Sequence, residues 1–287
     1  MRELDKNDRT MLEESKKNLS GLDLSGANLE GIDLSSGNLS STNFKEANLK
    51  NSNFVSALLD AADFTKTDLD YADFRRANLF KAIFFQARLS KANFQEANLM
   101  GANLSSADLI GADLSRCKLV EANIIGSNLT GANLKAAKLT GRFQREGYFS
   151  RGATLARSTL KGADISESDC HGADIADADL REVNLSNANL VEADLRGSNL
   201  AGANLTGAKL SEANLRKTTL TGADFNGTSL LETKLTGVDL SQTLNLAPQE
   251  VTLAIIDKKT RIPDYLEIIW ISDETFECKA RSPDSIK

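Results

Sequence analysis

A large apolar residue recurs at every fifth position of this chain. From Leu89 to Leu114 the series reads Leu89, Phe94, Leu99, Leu104, Leu109, Leu114. The beat is established by Leu24, holds to Leu139, and resumes from Leu155 to Leu240. An α-helix cannot bury it, because five residues turn about 500° and successive centres share no face. A long strand cannot either, because an odd spacing sends alternate centres to opposite sides. Two residues before each centre stands a small residue, as at Ala27, Ala47, Ala92, Ala163 and Ala203. On an extended segment that residue points the same way as the centre. Asn or Asp stands between them, as at Asn28, Asp63, Asn98 and Asn204, giving A-(D/N)-L-x-x. Two residues after the centre Gly is frequent, at Gly101, Gly111, Gly126 and Gly202, where a turn needs a permissive backbone. Each pentapeptide is therefore a short extended piece with two side chains inward, then a turn.

If each turn rotates the chain by a quarter, four pentapeptides close a square coil. Such coils stack at the inter-strand spacing of about 4.8 Å. The phenylalanines supply a check. Phe44, Phe64 and Phe84 fall on one wall and Phe54, Phe74 and Phe94 on the opposite one, with Leu on the two walls between.

These residues resemble the pentapeptide-repeat family over roughly residues 18–244. The resemblance implies an all-β solenoid, a right-handed quadrilateral β-helix, and a cyanobacterial-type member. Buried Leu and Phe at about 1.5–3 kcal/mol each oppose the cost of ordering each segment. Asn or Asp at the middle position can bond nearby backbone, and stacked Asn side chains can pair along the axis.

Open coil ends must be covered. Leu4, Met11 and Leu12 lie at i, i+7 and i+8, so residues 1–17 are expected to hold a cap helix over 3–16, with Asp8 available to cap it. The solenoid is expected over 18–140 and 153–245, with a C-terminal cap and tail over 246–287. There Pro248 opens a helix, EIIWIS and TFECKA pair as a hairpin, and Ile268, Trp270 and Phe276 cover the last coil. Family members of cyanobacterial type have similar endings. Residues 141–152, TGRFQREGYFSRG with its flanks, break the period and form a projecting loop or a bulged coil. Arg142, Arg145 and Arg151 alternate there with Phe143, Tyr148 and Phe149, a pattern that suits a protein partner or nucleotide stacking.

Little in the chain suggests chemistry. Net charge is −6, which argues against direct nucleic-acid binding. The three cysteines are too few for a disulfide framework or zinc site. Cys170 occupies a centre and turns inward while the only histidine, His171, turns outward; Cys117 replaces a small inward residue. No catalytic residue, metal or cofactor is therefore expected. The charged opening and the lack of any apolar run near 20 residues lead to the expectation of a cytoplasmic protein with no membrane span.

The outer walls remain. Residues 20 apart stack, so Phe80, Met100 and Val120 share one wall and point out, with Phe85 and Ile125 on the next wall and Ile83 beside Phe85. A contiguous apolar patch marks an interface unless the loop or tail covers it. Glu192, Glu212 and Glu232 stack in the second half, near Asp174 and Asp194, and should repel unless Lys209, Lys217 or Lys234 screens them. Ladders such as Asp68–Arg88–Asp108 neutralise other walls. The reading is a non-catalytic rod that binds an unidentified protein, itself a monomer or weak dimer. The alternative, implied by the family's quinolone-resistance members, is a DNA mimic that binds a topoisomerase, DNA gyrase.

Overall fold

A computed structural model of the chain describes residues 2–3, 6–140, 152–272 and 275–281. Its body is a right-handed quadrilateral β-helix. The residue before each centre, usually Asn or Asp, bridges in parallel to its counterpart 20 positions on, as Asp23 to Asn43, Asn28 to Asn48 and Asp33 to Asn53. We number the walls in chain order from Leu19 (first), Leu24 (second), Leu29 (third) and Leu34 (fourth). Leu39 then returns to the first wall.

Each wall is held by the same three backbone bonds. The centre N–H donates up to the next coil, as Leu24 to Asn43 at 2.8 Å. The preceding N–H donates down, as Asn43 to Leu22 at 2.9 Å. The corner N–H donates up again, as Gly26 to Lys45 at 2.8 Å. Within a coil, the carbonyl of each centre accepts from the residue three on, as Leu24 from Ala27 at 3.3 Å, which closes a β-turn. The third turn residue has positive φ. Gly serves there at Gly101 and Gly111, but so do Glu46, Tyr71, Lys81 and Glu192, with φ between 56° and 62°. The corner is thus less dependent on Gly than the sequence suggests. The inter-coil bond fixes the conformation whatever the side chain, at about 1–2 kcal/mol of strain for a non-Gly residue.

The middle Asn or Asp accepts the N–H two residues on, as Asp63 Oδ1 from Thr65 at 2.9 Å. Asn amides also bridge coils: Asn48 Nδ2 donates to Asn28 at 3.0 Å and Asn98 Nδ2 to Asn78 at 2.8 Å. Where the small inward residue is Thr or Ser, its hydroxyl donates to a centre carbonyl, of the coil below for Thr67 to Phe44 at 2.7 Å and Ser127 to Leu104 at 2.7 Å, and of its own coil for Ser52 to Leu49 at 2.6 Å. No buried side-chain N or O of the described residues lacks a partner.

The interior is solid. Phe44, Phe64 and Phe84 stack with centroids 4.9 Å apart and planes within 6°. Phe54, Phe74 and Phe94 do the same at 4.8 and 4.9 Å. The two columns meet edge to face across the tube at 5.7–6.0 Å.

Asn123 and Thr154, which bridge directly, are 31 positions apart where the bridged partners of every earlier coil are 20 apart. The excess of eleven is residues 141–151, which lie outside the described residues together with Arg142, Phe143, Arg145, Tyr148, Phe149 and Arg151. The walls resume in register at Gly152, which stands at a corner. A Cβ there would lie 2.8 Å from the Gly172 carbonyl oxygen and 3.0 Å from the Ala173 backbone.

Both ends are closed by substitutes for the missing coil. At the N-terminus, β1 (Arg2–Glu3) pairs in parallel with β2 (Ala27–Asn28), a segment of the third wall. Helix α1 (Lys6–Glu14) is shorter than the 3–16 expected and is followed by a 3₁₀ turn at Lys16–Asn18. Glu13 accepts the Asp33 N–H at 3.1 Å, and Lys16 accepts the Asn38 N–H at 2.8 Å through its carbonyl. Leu12 packs on the core, whereas Met11 is 64% exposed and does not share that face. Asp8 lies inside the first turn of α1 rather than before it, and Leu4 lies outside the described residues.

At the C-terminus, α2 (Pro248–Leu253) has Pro at its start because the missing N–H is unused there. Glu250 accepts the Leu230 N–H at 2.8 Å and Asp257 the Gly237 N–H at 2.9 Å. Strands β3 (Leu266–Trp270) and β4 (Phe276–Ala280) form an antiparallel hairpin. Leu266 is buried, and Phe276 and Cys278 pack on the core. Trp270 rests on Phe276 at 5.2 Å, so it covers the hairpin rather than the coil itself.

Candidate interaction surface

With the interior filled by its own side chains, function is left to the outside. Side chains before and after each centre project from the walls, and those of the positive-φ residues form the edges. On the edge between the first and second walls, Lys81, Gly101 and Glu121 succeed one another. Their N–H groups donate to Met100, Val120 and, at the coil below, Ala61's to Phe80. Phe80, Met100 and Val120 line one side of this edge and Ile83 the other; Phe85 and Ile125 lie across the second wall, each before its next corner, Gln86 and Gly126.

The phenylalanines are the open part: Phe80 is 38% and Phe85 37% exposed. Met100, Ile83 and Ile125 are half-buried. Val120 is only 8% exposed, so it floors the patch rather than projecting from it. Its side chain is short and β-branched, with Met100 one coil below. The Lys81 ammonium sits 5.2 Å from the centre of the Phe80 ring. Leu58, 47% exposed, lies on the first wall one coil lower and was missed. The 20-residue rule applied to Asn38 and Asn78 would have placed it. Ile110 and Tyr71, both exposed, were missed likewise; Tyr71 carries the Lys91 ammonium 5.5 Å from its ring centre. The described chain stops at Thr140 and resumes at Gly152, one coil above Glu121 on this edge. Residues 141–151, one of the two covers expected for the patch, lie outside the described residues; the described part of the C-terminal tail packs on the last coils instead.

Glu192, Glu212 and Glu232 do stack, on the upper part of the same edge, each at a positive-φ corner. The three lysines expected to screen them form no ion pair with them. His171 stands 4.0 Å from Glu192 instead, while Glu212 and Glu232 have no ion-pair partner within 4 Å among the described residues. Asp194, on the adjoining wall, is gripped by Arg196 at 2.5–2.9 Å. Burial opposes its ionisation, but the hydrogen bonds and charge of Arg196, with Lys234, hold its carboxyl below the ordinary range. Arg196, Arg216 and Lys217, with Asp177, line a groove of about 430 Å³ on the far side of the second wall from the acidic column. Lower down, Arg88 pairs with Asp68 at 3.2 Å and Asp70 at 2.6 Å, and not with Asp108.

The cysteines are core. Cys117 donates its Sγ–H to the Phe94 carbonyl at 2.8 Å, taking the place of a Thr hydroxyl, and burial raises its thiol pKa. Burial pushes Cys170 up to about 12. The His171 backbone N–H donates to the Asp169 carboxylate at 3.3 Å, outside the tube that holds the Cys170 sulfur. Among the described residues no group of His, Cys, Asp and Glu has the arrangement to hold a metal ion, and no helix is long and apolar enough to cross a membrane.

Eight copies of the family model described as "Pentapeptide repeats" match the chain, over residues 18–55, 42–79, 57–96, 82–119, 117–141, 151–181, 178–216 and 203–242. No match was found among curated proteins. Among solved structures the chain is similar to HetL, a pentapeptide repeat protein involved in heterocyst differentiation regulation from the cyanobacterium Nostoc sp. strain PCC 7120. The identity is 30%, over 82% of this chain and 96% of that one, with a TM-score of 0.41. It is similar to the pentapeptide repeat protein Rfr23 from the cyanobacterium Cyanothece 51142 at 28% identity, over 49% and 90% of the two chains, with a TM-score of 0.29. A trypsin-treated form of QnrB1, a plasmid-mediated fluoroquinolone resistance protein, matches at 23% identity over 70% and 86%, with a TM-score of 0.32.

Proposed function

The chain belongs to the pentapeptide-repeat family, and from that premise we propose that it is a non-catalytic rod that docks a protein partner on the edge between its first and second walls. One observation carries the reading: Phe80 and Phe85 are more than a third exposed on adjoining walls, with Met100, Ile83 and Ile125 partly open around them. Elsewhere on these coils the outward positions are mostly polar or charged. Aromatic and Met side chains are enriched at interface cores, and a few buried aromatic anchors carry much of the binding energy there. A solid interior and buried, protonated thiols support a role without catalysis.

The acidic column supports a DNA-mimicking role less well. It is one residue wide, and Arg196, Arg216 and Lys217 stand across the second wall from it. A phosphate-like field needs both flanks negative.

The test is quantitative capture from lysate of the source cells on immobilised full-length chain. Phe80→Asp/Met100→Asp is compared with Asn226→Asp on the far wall. The proposal expects a partner that the first variant loses and the second retains. Equal recovery on both removes this edge from consideration.

A further inference from the structure

The corner at Asn226 and Gly227 differs chemically from the corners below it, and we propose that Asn226 is a site of spontaneous modification, deamidating through a cyclic imide to aspartate and isoaspartate. The reaction needs a backbone nitrogen that can reach the preceding asparagine side chain, hence a following residue without bulk and an N–H not held elsewhere. Asn226–Gly227 is the only Asn-Gly pair in the chain, and both residues are exposed. The Asn226 side-chain amide has no hydrogen-bond partner among the described residues; its backbone N–H alone is held, by Asp224 at 3.0 Å. The Gly227 N–H has no acceptor there either. Lower corners of this edge each donate to the coil above: Glu167 to Ser186 at 2.9 Å, Asn187 to Thr206 at 2.9 Å and Gly207 to Asn226 at 2.8 Å. By the same count Gly227 would donate to Leu246. There the chain is leaving the coil for α2, and the Leu246 carbonyl accepts the Tyr265 hydroxyl at 3.3 Å instead.

The other asparagines of the walls precede an N–H that is bonded. Leu99 after Asn98 donates to Lys118 at 2.8 Å, and Leu205 after Asn204 to Asp224 at 2.9 Å. At corners, Ser52 after Asn51 donates to Leu49 at 3.2 Å, and Ala188 after Asn187 to Leu185 at 3.0 Å. Attack at those sites must first release that bond. Turning the Asn226–Gly227 peptide plane breaks a single inter-coil bond, the one from Gly207 to the Asn226 carbonyl. The Gly227 nitrogen then gives its proton to solvent base and bonds to Asn226 Cγ, the Cγ–Nδ2 bond breaks, and ammonia leaves. Water opens the imide. Cleavage between Cγ and nitrogen leaves an aspartate. Cleavage at the main-chain carbonyl leaves an isoaspartate, with the chain routed through Cβ and Cγ. The carbonyl that accepted the Gly207 N–H is then a carboxylate off the main chain, so the isoaspartyl form loosens the last coil where the cap begins.

The full chain, folded, is incubated in mildly alkaline buffer, digested and mapped by mass spectrometry, with isoaspartate identified by enzymatic methyl-ester labelling. The expected result is loss of Asn226 ahead of every other asparagine. Thr221→Asn supplies the control. It makes a second Asn-Gly pair at the preceding corner of the same coil, at an exposed residue, with φ 70° at Gly222 against 65° at Gly227. The Thr221 carbonyl accepts the Gly202 N–H at 2.9 Å, as that of Asn226 accepts Gly207, but the Gly222 N–H donates to Gln242 at 2.9 Å. In the folded variant position 221 should react about two- to tenfold more slowly than Asn226, the factor of one net backbone hydrogen bond. In denaturant the two should react alike. Gly227→Ala is sterically acceptable, since Ala136 holds φ 56° on the same edge, and should suppress the reaction at Asn226. Circular dichroism confirms that each variant is folded. An Asn226 that outlasts other asparagines overturns the proposal, as does equal reactivity of positions 221 and 226 in the folded variant or a rate unmoved by Gly227→Ala.

Discussion

Replacing Phe64 by Leu should cost far more than the same change at Phe225, although both rings are buried. Phe64 stacks on Phe44 and Phe84 at 4.9 Å each and presents edges to Phe54 and Phe74 at 5.9 and 5.7 Å. Phe225 is 1% exposed and has no ring partner among the described residues. An aromatic pair contributes about 0.5–1.5 kcal/mol beyond its area, so four pairs bound the loss at about 2–6 kcal/mol. The pairs share one ring and are not additive, which favours the lower end, about 2–3 kcal/mol. Phe225→Leu keeps an apolar side chain of similar volume and should cost less than about 1.5 kcal/mol. Leu is sterically acceptable on the Phe64 wall, since Leu104, Leu195 and Leu215 are buried there. Guanidinium unfolding followed by circular dichroism measures both. Hydrogen exchange adds the location, because coils touch only their neighbours and the loss should be confined to residues near 44–94. Equal destabilisation by the two variants would refute the claim that ring stacking stabilises the lower coils.

Three further outcomes follow from the same geometry. Gly152→Ala should destabilise by about 1–3 kcal/mol through overpacking against the Gly172 carbonyl and Ala173. Gly162→Ala, whose Cβ meets nothing within 4 Å, should lose only about 1 kcal/mol, and thermal melts compare them. Asp179 is held below its ordinary value of 3.8, first by the Arg181 side-chain hydrogen bond against burial, then by the Arg181 N–H and the charges of Arg181 and Lys161. Its folded pKa is depressed, so its contribution is present above the unfolded value and fades as pH falls through the folded one. Arg181→Ala should return it upward in an NMR titration. In the native state Cys117 and Cys170 should resist a thiol reagent. Cys278, only partly buried and pushed up to about 11, should react first though slowly, and all three should react in denaturant.

The sequence by itself determined the tube. A period of five with a small residue two before each centre excludes helix and strand and leaves a four-sided coil, in which Phe columns on opposite walls are dictated by arithmetic. The inward placement of Cys117 and Cys170 and the outward placement of His171 follow from the same count. A pattern that repeats in every coil makes inward and outward a property of position, so it is legible from residue type alone. Only the tertiary structure decided how open each outward residue is. Val120 and Phe80 occupy equivalent positions, yet one is floor and the other is exposed, because exposure depends on the size of the side chains one coil above and below. It also decided the ion pairs: Arg88 reaches sideways to Asp70, and Glu192 meets His171 rather than a lysine, since long side chains choose among neighbours that no spacing rule distinguishes. The caps belong to it as well. Glu13, Glu250 and Asp257 stand in for absent coils through contacts set by the folded chain's own ends, where the repeat that made the rest readable has stopped.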